Sequence, residues 1–288
     1  MTTLSVLGVG RIGGEIAYLS AILGLADELV MYDAVPAFLH SQVLDLKHTG
    51  LEIPVSTDWK DVKQSDICVF SAGLPRNPDV KTRADLLQAN LPVAFECSQA
   101  LRHFDGVLIT VTNPMDANNY YLCRKNHLEP SRCIGFGGQL DSARFGLELK
   151  SRGIRGDPWV IGDHGEFQVP LFSHLKDQVR NPVREEILQK LRGASMEIIK
   201  GKGGTVFGPA YHLAGLIQAV VEDRKAPIAC SCIVEGEYGL DHCSIGVPAV
   251  IGRDGICEIL EWKMDAWEQS HFRSAGEFVT GLCRGLGV

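Results

Sequence analysis

The sequence lacks the long apolar run that a membrane-spanning helix requires. No apolar stretch in its 288 residues reaches the roughly 18 residues that cross a bilayer. The first ten residues, MTTLSVLGVG, have no basic group ahead of their apolar stretch, which is typical of a first strand and not of a secretory signal. Repeats and low-complexity tracts are also missing. We therefore expect a globular protein with no membrane contact, and neither a disordered nor a collagen-like chain.

Positive charge is in short supply. Lys and Arg total 28 against 35 Asp and Glu, which leaves a net charge of −7, and no run of basic residues occurs. Such a chain is a poor candidate for binding nucleic acid or an anionic membrane surface. A small anionic substrate would have to be bound by individual arginines, so these deserve separate examination.

The sequence also lacks a CxxC pair. Its nine cysteines are odd in number and scattered through apolar runs, which favours reduced thiols in the cytoplasm over a disulfide framework. Cys230 and Cys232 precede His242 and Cys243, but the run APIACSCIV predicts a strand that places the first two on one face. We interpret them as buried thiols and expect no metal site.

Short apolar runs alternate with helical patterns through the first half of the chain. Strands are predicted at 3–8, 28–33, 65–73 and 106–114, and helices at 11–24, around 43–46, and at 83–101. This alternation predicts a doubly wound, mostly parallel sheet with right-handed crossovers. From about residue 139 the pattern becomes mixed α+β, with helices around 140, 182–201, 208–222 and from 265, and strands at 228–234, 245–252 and 256–260. We predict two tightly packed domains, 1–138 and 139–288.

The run GVGRIG lies between the first strand and the first helix. Gly8 permits a tight turn, Gly10 lets a pyrophosphate approach the backbone, and Gly13 lets the helix pack on the strand. Arg11 and Ile12 begin the helix, whose free N–H groups face the phosphates.

Asp33 ends the second strand, 20 residues after Gly13. A carboxylate there binds a ribose diol and repels a 2′-phosphate, which favours NAD over NADP. The first domain is thus predicted to be a Rossmann-type NAD-binding domain.

Two further clusters lie at the ends of predicted strands of the first domain. The stretch AGLPRNPDVKTRADLL carries Arg76, Lys81 and Arg83, either as a solvated loop or as a cationic lid over an anionic substrate. VTNP places Asn113 at the end of the fourth strand, where its amide either binds a ligand or forms a turn.

In DSAR, Asp141 and Arg144 share one helical face, as an ion pair or as substrate-binding groups. IGDHGE places His164 between glycines after an apolar strand, a suitable position for a general acid or base.

Taken in order, GVGRIG, AGLPRxP…TRADLL with NLP, VTNPMD, LDSARF, GDHG, EGEYG and GVPAVIGRDG resemble the lactate/malate dehydrogenase family over nearly the whole chain. The resemblance implies that His164 exchanges the substrate proton while hydride passes to or from NAD, and that Asp141 orients and stabilises its imidazole. It implies that Arg144 binds the C1 carboxylate as a bidentate fork, and that Arg83 stabilises developing negative charge on the reacting oxygen. It further implies cofactor contacts at Asn90, Val111 and Asn113, a substrate contact at Asn113, and a pocket-lining Thr205.

Arg76 determines the expected substrate. In the family that the chain resembles, Arg at this position of the lid accompanies a dicarboxylate substrate, and Gln accompanies lactate and pyruvate. We therefore expect a malate dehydrogenase of the lactate-dehydrogenase-like type, with a place in the tricarboxylic acid cycle. Lys81, in the same segment, is a second candidate for contact with the distal carboxylate.

Other interpretations remain open. Within the class, the chain would be an L-lactate or other 2-hydroxy-acid dehydrogenase. Outside it, the candidates are a glycosidase that uses NAD and a metal, and a non-catalytic NAD-binding protein. The resemblance also implies a homodimer or homotetramer, and we interpret Asp45 and His48, one helical turn apart, as structural residues at a subunit interface.

Overall fold

The computed structural model describes residues 1–74 and 82–288, in which strands and helices alternate. The strands are β1 Thr3–Leu7, β2 Glu28–Tyr32, β3 Val55–Ser56, β4 Ile67–Phe70, β5 Val107–Thr110, β6 Cys133–Gly135, β7 Val160–Gly162, β8 Gln168–Pro170, β9 Ala226–Glu235, β10 Asp241–Gly252 and β11 Gly255–Ile259. The helices are α1 Arg11–Ile22, α2 Pro36–His48, α3 Arg83–Ser98, α4 Met115–Asn126, α5 Gly138–Ser151, α6 Asn181–Lys202, α7 Phe207–Val221 and α8 Ala266–Arg284.

Six strands of the first half pair in parallel, in the order β3-β2-β1-β4-β5-β6. β1 is flanked by β2 on one side and β4 on the other, so the chain changes direction across the sheet at this point. A crevice forms beyond the carboxyl ends of strands at such a switch, and ligands of open α/β sheets bind there. The predicted Rossmann-type parallel sheet is confirmed.

The second half continues the same sheet instead of forming a separate one. β6 pairs antiparallel with β9, where Ile134 faces Cys232, and β10, β7 and β8 follow, with β11 paired to β10. The predicted change from parallel to mixed pairing is therefore present. The hydrogen bonds between β6 and β9 join the two halves of the chain into one sheet, so the boundary near residue 138 does not separate two sheets. The division into two domains stays a prediction.

Buried aliphatic side chains explain why the central strands form. The β1 residues Leu4, Val6 and Leu7 and all four residues of β4 are excluded from solvent, as expected for parallel strands covered by helices on both faces. A second, smaller apolar cluster around Phe145 and Phe172 lies between α5, α6 and β7. These two cores hold the strand ends, and thus the loops after them, in fixed positions.

The structure contains one long element that the sequence pattern did not predict. α4 follows directly after Asn113–Pro114, and its residues MDANNYYLCRKN show no apolar stripe. Nine consecutive residues from Met115 to Cys123 are nevertheless buried. Periodicity fails here because the helix is enclosed on all sides, so its polar side chains are also buried and bonded to neighbouring elements.

The cysteines are free thiols, and eight of the nine are buried. The Sγ atoms of Cys230 and Cys232 lie 3.8 Å apart on β9, so the predicted shared face is confirmed. In the part of the chain that the structure describes, no group of three or more His, Cys, Asp or Glu side chains has the arrangement of a metal site. Nor does any helix within 1–74 and 82–288 have both the length and the apolarity to cross a membrane.

Candidate active site

The turn from β1 to α1 is built from glycines in close contact with β4. Gly8 has φ +89°, and a Cβ atom placed on it would lie 2.3 Å from the Cα of Ala72. Its N–H donates to the carbonyl of Tyr32 at 2.8 Å, which ties the turn to the end of β2. Only glycine fits this combination of backbone angle and close approach.

The start of α1 offers open space and free donors. A Cβ on Gly10 would meet nothing within 4 Å, and no side chain caps the helix at this residue. The N–H groups of the first turn have no acceptor within the helix and lie at the positive end of its dipole. This cradle fits a pyrophosphate. Arg11 extends from the same turn towards the carbonyl of Lys202, 3.5 Å away, and so spans the gap to the loop after α6.

Asp33 lies at the end of β2, beside the glycine turn. One carboxylate oxygen accepts from the N–H of Val9 at 3.2 Å, and the other accepts from the N–H of Val35 at 3.0 Å. A carboxylate offers about four acceptor positions, so half of its capacity is available to a ribose diol. The predicted cofactor residues at the β1–α1 turn and the end of β2 thus lie together and fit a dinucleotide.

Three charged groups lie in a row just beyond the end of β7. Asp141, in the first turn of α5, accepts from Nδ1 of His164 at 2.7 Å and from Nη1 of Arg144 at 3.1 Å. His164 lies in the loop between β7 and β8, so its pairing with Asp141 joins two elements. Asp141 is 2% exposed, whereas the side chains of His164 and Arg144 keep 16% and 15% of their surface accessible. The carboxylate is therefore internal, and the two groups that it holds can reach a ligand.

The three groups change one another's proton affinity. Burial opposes ionisation of Asp141, but the charges of His164 and Arg144 outweigh it and lower the pKa of the carboxyl. Burial likewise acts to lower the pKa of His164, but the charge and hydrogen bond of Asp141 outweigh it, so the pKa of the imidazole is raised. Because an ionised carboxylate can only accept, Nδ1 carries a proton and Nε2 is the position that exchanges one.

Arg83, the first residue of α3, points into the same place. Its guanidinium donates to Oδ1 of Asn113 at 3.2 Å and to the backbone carbonyl of His164. Gly165 makes this possible, since a Cβ there would lie 1.7 Å from Nη2 of Arg83. The structure thus brings together all five of the residues expected around the substrate that fall within its described part: Arg83, Asn113, Asp141, Arg144 and His164.

Asn90 has a different environment from the one expected of a cofactor contact. It is 1% exposed, and Oδ1 accepts from the N–H of Leu74 at 2.7 Å. Nδ2 donates to the carbonyl of Asn113 at 2.9 Å and to that of Leu74 at 3.3 Å. Both polar groups of its side chain thus bond to backbone atoms, so Asn90 connects the loop after β4 to the loop after β5.

The remaining expected residues fall at the edges of the site. Val111 is half-buried just after β5, and its N–H donates to the carbonyl of Phe70 at 2.9 Å. Thr205 is half-buried in the loop before α7, beyond Gly203 and Gly204, which border Arg11. Arg76 and Lys81 lie outside the described residues.

Two family models together cover almost the whole chain. The model described as the NAD binding domain of lactate/malate dehydrogenase matches residues 2–135, and the model described as its alpha/beta C-terminal domain matches residues 140–280. The chain belongs to the lactate/malate dehydrogenase family.

Individual members of the family are similar over their full length. A malate dehydrogenase of Halobacterium salinarum is 34% identical over 296 aligned residues, with 96% of this chain and 97% of the relative covered. An L-lactate dehydrogenase 2 of Bacillus cereus is 30% identical, with 92% of each chain covered. The structure of a malate dehydrogenase of Archaeoglobus fulgidus in complex with NADH matches with a TM-score of 0.88 at 30% identity, over 100% of both chains.

Membership of the lactate/malate dehydrogenase family makes the chain an NAD-dependent oxidoreductase, as the sequence predicted. The expected cofactor, NAD, is confirmed, and it fits the glycine turn and Asp33. The substrate class is a small 2-hydroxy acid. Relatives carry both malate and lactate dehydrogenase names, so family membership leaves the choice between these two acids open.

Reasoning from the sequence missed contacts that a lactate/malate dehydrogenase site depends on here. Asp116 accepts from the backbone N–H of His164 at 3.1 Å, and Gly165 makes room for Arg83. Both residues stand within the motifs VTNPMD and GDHG, but neither has a spacing that indicates its partner. Position inside a recognised motif was the one available signal.

Proposed function

We propose that the chain is an NAD-dependent malate dehydrogenase that interconverts malate and oxaloacetate. The observation that carries the proposal is Arg76, a cation placed by the sequence seven residues before Arg83. A guanidinium forms paired hydrogen bonds with a carboxylate, and an unpaired Arg in a closed site would penalise a monocarboxylate. A second carboxylate on the substrate gives Arg76 its partner.

Each arranged group has a place in this reaction. NAD, held at the glycine turn and Asp33, would supply the hydride acceptor for oxidation, and NADH would supply the hydride for reduction. His164 takes the hydroxyl proton at Nε2 during oxidation and returns it during reduction, while Asp141 stabilises the imidazolium. Arg144 keeps N–H groups free of its bond to Asp141, and these bind the C1 carboxylate.

Arg83 and Asn113 act on the reacting oxygen. Their mutual hydrogen bond and the bond from Arg83 to the His164 carbonyl hold the guanidinium beside the imidazole. Negative charge that develops on the substrate oxygen during reduction is stabilised by such a fixed cation. Asn113 also takes part in placing the substrate and the nicotinamide.

Substitution Arg76→Gln tests the choice of substrate. It removes the charge that the distal carboxylate needs, so kcat/KM for malate should fall by about a hundredfold or more relative to that for lactate, as expected when a buried polar partner is left unpaired. Steady-state NADH formation with malate, lactate and 2-hydroxyglutarate measures this. Lys81→Gln is the matched comparison within the same segment. An unchanged ratio of kcat/KM for malate to that for lactate in Arg76→Gln would contradict the substrate assignment.

His164→Asn tests the chemistry itself. The substitution keeps a polar side chain but removes the proton acceptor, so turnover should fall by about a hundredfold to ten-thousandfold while NADH still binds. Fluorescence titration with NADH and single-turnover kinetics separate the two effects. Retained turnover would refute the role assigned to His164. It would also refute the alternative that the chain is a lactate or other hydroxy-acid dehydrogenase in which His164 exchanges the proton.

We also propose a homo-oligomer. α1 and α7 lie side by side and expose large apolar side chains, among them Tyr18, Ile22, Phe207 and Tyr211. Phe207 and Tyr211 are 75% and 73% exposed, and apolar patches of this kind favour self-association through a symmetric contact. The expected places in the tricarboxylic acid cycle and in the cytoplasm stay predictions.

A further inference from the structure

Asp116 is a buried carboxyl group to which the proposed reaction assigns no task. It lies in the first turn of α4 and is 2% exposed. Its Oδ2 accepts from the backbone N–H of His164 at 3.1 Å, and its Oδ1 accepts from the hydroxyl of Ser231 at 2.6 Å. Both oxygens thus serve neighbours on other elements, and one of these is the main chain of the proposed acid-base residue.

A directed series of hydrogen bonds ends at this carboxylate. Nδ2 of Asn119 donates to Oγ of Ser244 at 2.9 Å, and Oγ of Ser244 lies 2.8 Å from Oγ of Ser231. An amide nitrogen only donates and a carboxylate only accepts, so the hydroxyls are oriented from Asn119 through Ser244 and Ser231 to Asp116. The series crosses from α4 to β10, to β9 and back to α4.

The series favours the ionised form of Asp116, because Oδ1 accepts from Ser231 and Oδ2 accepts from the N–H of His164, and both bonds are stronger to a charged carboxylate. Burial and the nearby carboxylate of Asp163 act in the opposite sense and raise the pKa of Asp116 to about 7, against the bonds from Ser231 and His164. The charge of the His164 imidazole also acts to lower the pKa of Asp116. In the described part of the chain, the thiols of Cys243 on β10 and Cys283 on α8 are further ionisable groups near this carboxyl.

His164 is therefore held at both ends. Asp141 binds its ring at Nδ1 and Asp116 binds its backbone nitrogen, from two different helices. Within residues 1–74 and 82–288, the charges that act on the imidazole include those of Asp141 on α5, Arg83 on α3 and Asp116 on α4. Because the covalent length of the side chain is fixed, the position of the His164 main chain and the bond at Nδ1 together set where Nε2 lies.

We propose that Asp116 is a positioning residue for His164. Its carboxylate accepts the last hydrogen bond of the series from Asn119, Ser244 and Ser231, fixes the main chain of His164, and so keeps Nε2 directed at the substrate. The proposal rests on the proposed function, in which His164 exchanges the substrate proton. Asp116 also places a negative charge near the imidazole, which adds to the raised pKa of His164.

Asp116→Asn is the first test, because asparagine keeps the volume and one acceptor oxygen. Its oxygen can still accept from the N–H of His164, but its amide N–H groups meet the hydroxyl of Ser231, which donates towards this position. The charge and the Ser231 bond are therefore both lost, and the side chain is expected to shift against the main chain of His164. We expect kcat/KM for malate oxidation to fall by about ten- to a hundredfold, since small misplacement of a reacting group has effects of this size. KM should change less than kcat, and the dissociation constant of NADH should stay the same.

The pH profile separates positioning from mere stability. Oxidation needs neutral His164, so its rate falls as the pH drops through the pKa of the imidazole. Loss of the Asp116 charge lowers that pKa, and the acid limb of kcat/KM should therefore move to lower pH in Asp116→Asn. A residue with a purely structural role would lower the melting temperature and leave the limb in place.

Ser231→Ala is the second variant, and it decides the matter if Asp116→Asn does not fold. It removes one donor to Asp116 and leaves the bond to His164. Since the Ser231 bond lowers the pKa of Asp116, its loss leaves more of the carboxyl neutral, and the deficit in kcat/KM should grow as the pH falls. Ser20→Ala is the matched control, because that hydroxyl is buried on α1 with no partner in the described part of the chain; it should behave as the parent.

Two results would overturn the proposal. One is a folded Asp116→Asn enzyme with the parental kcat/KM and acid limb; the other is a Ser231→Ala enzyme with parental kcat/KM at every pH. If His164→Asn also retains turnover, the proposed function fails as well. If His164→Asn is inactive while Asp116→Asn is normal, only the positioning role is wrong.

Discussion

At the residue scale, Asp141 connects two groups of the site. Its two oxygens are divided between Nδ1 of His164 and Nη1 of Arg144, so one buried carboxylate orients both the proposed acid-base group and the cation proposed to bind the substrate carboxylate. The helix α5 supports this charge, because Asp141 lies in the first turn, where the dipole favours an anion. In the proposed function, a single side chain thus couples acid-base chemistry to substrate binding.

Asp141→Asn should change the pH dependence in a defined direction. Asp141 raises the pKa of His164, so its loss lowers that pKa, and the acid limb of kcat/KM for oxidation should move to lower pH. The rate at the plateau should fall by about a hundredfold or more, because the imidazolium loses its partner. A pH series of initial rates measures both.

Asp177→Asn is a matched control for that prediction. Asp177 is paired with Arg155 on the surface, at 2.8 Å, and its amide variant should keep the parental limb and rate. An Asp141→Asn enzyme whose limb stays in place, or moves to higher pH, would contradict the pairing described here.

Sequence reasoning at this scale succeeded where partners are close along the chain. The spacing of Asp141 and Arg144 predicted one helical face, and their 3.1 Å ion pair confirms it. It did not extend to Asp116 and Ser231, which are 115 positions apart. Their contact depends on which strands lie next to α4, and no local spacing carries that information.

At the element scale, the β1–α1 turn shows two glycines with different reasons to be glycine. Gly8 has a positive φ and touches Ala72, whereas Gly10 has an ordinary φ of −67° and faces open space. The fold requires the first to be glycine, as the sequence predicted for a tight turn. The open space beside the second fits the predicted approach of a pyrophosphate, and this role of Gly10 stays a prediction.

Gly8→Ala and Gly10→Ala should therefore separate stability from cofactor binding. The first should lower the free energy of unfolding by about 2 kcal/mol or more, from backbone strain and the clash at Ala72. The second should keep the parental melting temperature and weaken NADH binding, because a methyl group enters the space for the pyrophosphate. Thermal unfolding and NADH titration check the pair. Equal losses of melting temperature in both variants would contradict this division.

Gly165→Ala tests the contact between the β7–β8 loop and α3. Its Cβ would lie 1.7 Å from Nη2 of Arg83, so the guanidinium must leave the carbonyl of His164. We expect kcat/KM to fall by about tenfold or more, as for other small displacements of a reacting group.

Gly193→Ala is the control for this variant, since Gly193 lies in α6 with nothing within 4 Å of its Cβ position. It should keep the parental activity and gain about 0.5–1 kcal/mol of stability, because alanine is the better helix former. Parental kcat/KM in Gly165→Ala would show that Arg83 reaches its place by another route.

At the scale of the whole molecule, the net charge of −7 gives no guide to the site. Arg83 and Arg144 come from α3 and α5 and lie beside His164, so two cations reach one site of a chain whose total charge is negative. The scarcity of basic runs correctly directed attention to single arginines. Charge arranged by folding, not the sum over the chain, is therefore the basis on which we propose an anionic substrate.

The exposed side chains on α1 and α7 predict how subunits associate. Replacing both Phe207 and Tyr211, which are 75% and 73% exposed, by Asp should lower the molecular mass measured by light scattering after size exclusion. Phe95→Asp on α3, also an exposed aromatic at 48%, should leave the mass unchanged. A parental species that is already monomeric would contradict the proposed homo-oligomer.

The sequence by itself determined the elements whose signals are local. Apolar runs specified β1, β2, β4 and β5, glycine spacing specified the dinucleotide turn, and motif order specified the family. These features succeeded because strand burial, tight turns and helix faces depend on neighbours within a few residues along the chain.

Only the tertiary structure decided what lies behind the site. α4 is helical and buried without an apolar stripe, β6 joins β9 to make one sheet, and together they bring Asp116 to the main chain of His164. Such contacts depend on which distant elements pack together. A buried polar group is stable only where its partners meet it, and the fold alone determines where those partners stand.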